Sequence, residues 1–529
     1  MRSNTDFTQL IAGLLLPTAY DHAVDEIHTV ETHISVVILT GQFAYKIKKP
    51  VDLGFVDFAT LERRKFFCDE ELRLNRRLAD DLYIDVVKIA GDPAAPQING
   101  AGPILDYAVK MRQFDPATQL DVVIDKDDLN RAHIERFAGE IADFHLTAAV
   151  ASVRDNYASQ EVLVDRVREN FERSRPCVDD DRISAKLKSI ETWSHQSLQR
   201  NAVRFAHRKR DGFVRECHGD LHLANLLLMD DRIRAFDCLE FNAHLRWIDV
   251  ISEIAFTIMD LDYRGRPDLA AVFLNRYLEQ SGDYEGCDLL RHYLCYRAMV
   301  RAKVACLRAG QNAQSSVGFR EAQHEFRAHT DLAARYAVDQ KGGCIVITHG
   351  VSGCGKTYLT DQLLGSPRVV RIRSDLERKR MAGIDAAART DSKLNTGLYS
   401  ADEISRTYSR LAELCEILIK AGYRVIVDAT FLEHSHRSLF RRLAQRLGAK
   451  FIILDVAASP VESENRIRQR LNAGNDASEA TLEVLNQQLA TREVLDSDER
   501  RVTTTVDTER PIHVNDTRKA LFGVSEDGF

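Results

Sequence analysis

The chain has 529 residues, with 72 lysines and arginines against 79 aspartates and glutamates, a formal net charge of -7. That length corresponds to about three structural units of roughly 150 residues, and 44% apolar with 29% charged residues is a soluble globular composition that excludes wholesale disorder. Mild acidity disfavours a general attraction to nucleic acid, while ten cysteines without a CxxC pair argue against a disulfide scaffold or zinc ribbon and fit a reducing cytoplasm.

From the N-terminus, Leu10 to Leu16 (LIAGLLL) is stopped by Pro17. It is far short of the roughly 20 residues of a bilayer span. It also lacks the basic start and cleavage site of a signal peptide. A short buried first helix is predicted. HISVVILT, closed by Gly41-Gln42, and FAYKIKK then read as a hairpin, the second strand alternating as a half-buried ribbon. ERRKFFCDEELRLNRRL reads as one charged helix. An extended stretch runs from Leu82 to Ile89, and a last strand, Tyr107 to Phe114, leads into Asp115-Pro116. From about residue 129 helical periods dominate, as in IERFAGEIADFHLTAAV and LLRHYLCYRAMVRAKVACL. A small β lobe (about 1–112) followed by a larger helical lobe (about 113–340) is therefore expected. A helix from about Arg320 to Tyr336 ends before Gly342-Gly343, a predicted domain break. Beyond it CIVITHG, RVVRIRS, YRVIVDA and KFIILDV alternate with helical segments, the pattern of a parallel sheet with helices on both faces. No internal repeat or low-complexity segment is present.

In the first part, His218-Gly-Asp220-Leu-His-Leu-Ala-Asn225 places an aspartate five residues before an asparagine. In a kinase catalytic loop such an aspartate accepts the acceptor's proton and the asparagine ligates magnesium. Phe236-Asp237, after the strand-like IRAF, supplies a second metal-binding carboxylate. This set resembles aminoglycoside phosphotransferases and choline kinases over about residues 20–310. The resemblance implies Lys46 as the strand lysine on the α/β-phosphates, with Lys48 on the same strand face as its alternative. It implies Glu71 as the helix acid that orients the lysine, with Glu70 as competitor, and His145 as a packed core residue. No glycine-rich phosphate loop is present; its counterpart is Glu31-Thr-His-Ile-Ser35.

In the second part, Gly350-Val-Ser-Gly353-Cys-Gly355-Lys356-Thr357 satisfies G-x-x-x-x-G-K-[ST] between an apolar strand and a helical pattern. The glycines let the backbone wrap phosphates, Lys356 reaches the β- and γ-phosphates, and the Thr357 hydroxyl suits magnesium. Asp375 ends the second strand, where ligands of parallel sheets bind. Asp428 ends the third and suits magnesium held through water. Arg466, Arg468 and Arg470 precede Asn472-Ala-Gly-Asn-Asp476. Arginines there could stabilise developing phosphoryl charge, Arg468 being as well suited to a solvated helix face. This half resembles the small P-loop kinases grouped with gluconate kinase, zeta toxin and polynucleotide 5′-kinase, a group also called AAA-type ATP-binding domains, over about 344–515. The resemblance implies Asp375 as general base, Arg378 or Arg380 near the acceptor, and Arg466 and Arg470 as the catalytic arginines of a lid. Asp375 also suits an N-cap for a helix starting at Leu376. Motifs of ring-forming motors are absent.

The halves together resemble the bifunctional aminoglycoside phosphotransferase/ATP-binding protein family. The fold class expected is an α+β protein kinase-like bilobal domain (1–340) followed by an α/β P-loop NTPase domain with a parallel sheet (341–529). The function expected is ATP- and Mg2+-dependent phosphotransfer to small hydroxylated molecules in the cytoplasm, with no membrane or obligate protein partner. Alternatively, one half is a nucleotide-binding regulatory module, or the C-terminal half is a zeta-like toxin kinase restrained by the first.

Overall fold

The computed structural model describes residues 4–54, 56–313, 316–338, 343–384, 400–473 and 481–523. The predicted break at Gly342 lies outside them, as do residues 474–476 of the segment following the three arginines. Contacts divide the chain into two compact units. One comprises Met1–Phe137, Phe144–Glu172 and His195–Asp260, and the other Ala138–Asp143, Arg173–Ser194 and Leu261–Phe529.

The first unit holds an antiparallel sheet of β1 (His28–Glu31), β2 (Ser35–Leu39), β3 (Phe43–Lys48), β4 (Tyr83–Asp92), β5 (Ala95–Ile98) and β6 (Ile104–Arg112). The strand order is β1-β2-β3-β6-β4-β5. Leu10 and Leu14 of the first helix, Asn4–Leu14, pack with Tyr45 and Ile47 of β3 and with Val36, Ile38 and Val87. Beyond them Leu15 and Leu16 stand exposed, so the predicted apolar run is buried along one side only. Cys68 of the helix Leu61–Asn75 joins a second cluster with Ala44, Val109 and Met111. β3 is therefore covered on both faces, and the expectation of a half-buried ribbon fails. The alternate positions Lys46 and Lys48 are directed to the side of that second helix, where their charges need partners. The unit also contains β7 (Val214–Glu216), paired with β10 (Trp247–Asp249), and the hairpin of β8 (Leu226–Met229) with β9 (Arg232–Ala235).

The second unit contains the long helices Pro267–Ser281, Cys287–Gln311, Val317–Tyr336 and Ala401–Lys420, and a parallel sheet. Its strands are β11 (Cys344–His349), β12 (Val369–Arg373), β13 (Arg424–Asp428), β14 (Lys450–Ala457) and β15 (Thr503–Asp507), in the order β12-β13-β11-β14-β15. β11, the strand feeding the phosphate loop, is central, and Val346, Ile426 and Leu454 form its core. The α+β and parallel-sheet P-loop fold classes expected for the two parts are both present. Cysteine spacing gave no sign of a pairing, yet Cys177 and Cys306 form a disulfide, their Cα atoms 5.6 Å apart. The other eight cysteines are free and buried. Among the described residues no helix is long and apolar enough to cross a membrane.

Three buried histidines make folding sensitive to acid. Burial lowers the pKa of His145 to about 3 and those of His218 and His292 to about 4. The unfolded chain takes up these protons below about pH 6.5 whereas the folded chain does not. Their contribution is fully present above that pH and is lost as pH falls toward 4. A urea midpoint that declines from pH 6.5 to 4.5 is expected; a flat profile would contradict the assignment.

Candidate functional site

In the first unit Lys46, expected on the phosphates, Glu71, expected to orient it, and Asp237, expected as a metal ligand, meet. Lys46 Nζ lies 2.7 Å from Glu71 Oε1 and 2.5 Å from Asp237 Oδ1. Lys48 Nζ bonds the other Glu71 oxygen at 2.7 Å and also Glu240. Glu71 thus holds both lysines, while Glu70 pairs with Arg73 at 2.8 Å. Burial opposes the charge on Lys46, but Asp237 and Glu71 outweigh it and raise its pKa well above the usual lysine value. Burial opposes the Glu71 charge likewise, and the two lysines hold its carboxyl below the usual range. Burial dominates at Glu240, whose pKa is raised. A buried pair of this kind is destabilised strongly when one partner is removed.

The string from His218 to Asn225 is held by acids that sequence reading missed. Glu253 accepts the backbone N–H groups of His218 at 2.6 Å and Gly219 at 2.9 Å, and Asp260 accepts that of Leu223 at 2.8 Å. Gly219 has φ +91°, and a Cβ there would stand 2.7 Å from the Leu245 carbonyl oxygen, so only glycine fits. Asn225 Nδ2 donates to Asp220 Oδ2 at 2.9 Å, which leaves its amide oxygen as the end suited to a cation. Asp237 has φ +61°, and its N–H donates to the Tyr83 hydroxyl at 3.1 Å. The signal for these supports is weak in sequence, because Glu253 and Asp260 lie on a helix more than 30 residues downstream. His145 is buried, as expected. Glu31 to Ser35 form the turn between β1 and β2, where Thr32 N–H donates to Ser35 O at 2.9 Å.

In the second unit the phosphate loop runs from β11 to the helix Lys356–Leu363. Gly350, Gly353 and Gly355 have φ of +146°, +83° and +94°. A Cβ on Gly353 would meet the Ser463 carbonyl oxygen at 2.4 Å, so the loop can pack there only as glycine. Lys356 Nζ donates to the Gly350 and Val351 carbonyls at 2.9 and 2.8 Å. Thr357 Oγ1 donates to Asp428 Oδ2 at 2.9 Å, and Asp428 is 5% exposed.

The helix after β12 begins at Ser374, so Asp375 lies in its first turn and the expected cap before Leu376 is not what forms. Asp375 accepts from Arg378 Nη2 at 2.7 Å. Burial would raise its pKa, but Arg378, Arg373 and Lys356 hold the carboxyl below the usual aspartate value. Arg380 instead donates to the Glu279 carbonyl at 2.8 Å. Arg466 donates to Thr508 Oγ1 at 2.8 Å and to Thr508 O at 3.0 Å, beside Gly355. Arg468 is exposed and Arg470 partly buried on the same helix, Pro460–Ala473. Thr508, whose hydroxyl also donates to Cys354 O at 2.7 Å, has no motif to announce it.

Residues 345–495 match the AAA domain family. An uncharacterized protein of Mycobacterium tuberculosis is 29% identical over 448 residues, spanning 85% of this chain and 87% of its own. Among solved structures, amicoumacin kinase hAmiN in complex with AMP-PNP, Ca2+ and Ami is 12% identical, covering 63% of this chain and 94% of its own, TM-score 0.40. A gluconokinase from Sinorhizobium meliloti is 22% identical, covering 35% of this chain and 93% of its own, TM-score 0.24.

Proposed function

We propose that the chain is an ATP-dependent phosphotransferase with two Mg-ATP sites, each transferring to a hydroxyl of a small molecule in the cytoplasm. What supports this reading is that each unit contains a lysine expected on phosphate together with oxygen-bearing side chains suited to a hard cation. Lys46 accompanies Asp237 and Asn225 in one, and Lys356 accompanies Thr357 and Asp428 in the other. All of these ligands are oxygens, the donor set magnesium takes. Magnesium, when bound, neutralises charge on the transferring phosphates.

The protein's own groups do the rest. In the first site Lys46, oriented by Glu71, binds phosphate oxygens. Asp220, held by Asn225, takes the acceptor proton. In the second, Lys356 exchanges its loop carbonyls for phosphate oxygens, and the loop N–H groups and helix start cradle them. Asp375 takes the proton of the second acceptor. Arg466 and Arg470 belong to the wall over the phosphates, where fixed cations stabilise developing charge.

Asp375→Asn tests the second reaction. Asparagine keeps the size and can accept from Arg378 through its amide oxygen, but cannot take a proton. Acceptor phosphorylation should fall by about a hundredfold or more, while slow ATP hydrolysis persists and the thermal midpoint stays close to wild type. Acceptor phosphorylation at the wild-type rate would remove Asp375 from the chemistry.

A further inference from the structure

We propose that Glu279 is a positioning residue of the P-loop site, acting through Arg371, and that the helix Pro267–Ser281 is a working part of that site. The inference rests on reading the loop as an Mg-ATP site. Two long helices, Cys287–Gln311 and Val317–Tyr336, intervene in sequence between this helix and the loop, so no motif connects them.

β12 is one of the two edge strands of the parallel sheet, and an edge leaves backbone groups without a neighbouring strand. Here a side chain takes the strand's place. Asn275 Oδ1 accepts the Arg371 N–H at 2.8 Å, and its Nδ2 donates to the Val369 carbonyl at 2.8 Å. The Tyr284 hydroxyl donates to the Arg371 carbonyl at 3.3 Å. These bonds fix the backbone from which the Arg371 side chain springs.

The Arg371 guanidinium faces three acids, Glu279, Asp361, whose Oδ1 is 3.4 Å from Nη2, and Asp428, reached through Thr360. Its Nε and Nη2 lie 2.8 and 2.6 Å from Glu279 Oε1. Its Nη1 donates to Thr360 Oγ1 at 3.2 Å and to the Thr357 carbonyl at 3.4 Å. Thr360 Oγ1 in turn donates at 3.3 Å to Asp428 Oδ2, the oxygen that also accepts from Thr357. Glu279, Arg371, Thr360 and Asp428 are all at most 5% exposed, so solvent screens little of the charge along this chain. Arg371 supports the first turns of the phosphate-loop helix, and Glu279 balances its charge. Without Glu279, the buried guanidinium would be left with Asp428 and the more exposed Asp361, 3.4 Å from its Nη2, as counter-charges. It would then compete with, and repel, the cation that Asp428 is proposed to hold.

The test uses the full chain carrying Asp220→Asn, so that turnover at the first site is removed, and follows ATP turnover against free Mg2+. Glu279→Gln should raise the half-saturating Mg2+ concentration about tenfold, the effect of one uncompensated charge at close range. Turnover at saturating Mg2+ should change far less. The double variant Glu279→Gln/Arg371→Met, with no unpaired cation, should bring the Mg2+ requirement back toward wild type. If Glu279→Gln does not fold, Glu279→Asp, which keeps the charge but shortens its reach, should still raise the requirement measurably. Lys356→Ala in the same background separates the two ideas. If it leaves turnover intact, the P-loop reading itself fails. If it abolishes turnover while the glutamate variants keep a wild-type Mg2+ requirement, the reading stands and Glu279 has no positioning role. A lowered thermal midpoint with unchanged Mg2+ dependence would likewise overturn the inference, since it marks a purely structural pair.

Discussion

Lys356→Ala is expected to abolish nucleotide turnover at the P-loop site while the protein stays folded. The lysine's hydrogen bonds are to its own loop, at the Gly350 and Val351 carbonyls and, more weakly, Cys354 Sγ. Their loss should move stability by no more than about 1 kcal/mol. In turnover the ammonium is a point charge on phosphate oxygens whose negative charge grows at the transition state. Interactions of that kind are worth about 3 kcal/mol or more, a hundredfold to a thousandfold in rate. A fragment starting after residue 340 would lack Asn275 and Glu279, so turnover should be followed in the full chain with Asp220→Asn. Turnover within a few-fold of the unmutated lysine protein would sink the assignment.

Asp220→Asn should remove transfer at the first site by about a hundredfold to ten-thousandfold and leave nucleotide affinity nearly unchanged. Asparagine retains an oxygen for the Asn225 amide, so the loop keeps its shape, but the base is gone. Asp237→Asn should do the reverse and weaken Mg-ATP binding. Asparagine is the fair replacement because it tolerates the left-handed backbone at φ +61°, which alanine would strain. The change removes both a metal ligand and the 2.5 Å partner of Lys46. Nucleotide affinity measured by calorimetry separates the pair. Equal affinities in the two variants would refute the division of labour between them.

Much of the fold was readable because its strands are apolar runs bounded by turns. CIVITH, RVIVD and KFIILDV are buried in the sheet, and periodicity finds such segments. β15 escaped because its sequence is TTTVD, four of five residues polar, on the edge of the sheet and only partly buried. β5 contains a proline and β7 has three residues, too little for a pattern. In the candidate site the motif residues were readable because spacing along the chain encodes them. Their supports were not. Glu240 pairs with a lysine 192 residues away and Glu279 with an arginine 92 residues away, and nothing local marks either as a partner. The choice between Glu70 and Glu71 likewise depends on which side of the helix meets β3. One sequence leaves that ambiguous, because the helix is charged all round.

The proposed function requires that two Mg-ATP sites turn over independently. It is tested most directly by incubating a small-metabolite pool with labelled ATP and the full-length protein, as wild type, Asp220→Ala, Lys356→Ala and the double variant. Two distinguishable labelled products are expected with wild type, one lost with Asp220→Ala, the other lost with Lys356→Ala, and none with the double variant. Label transfer that survives in the double variant, or one product that disappears with either single change, would contradict it.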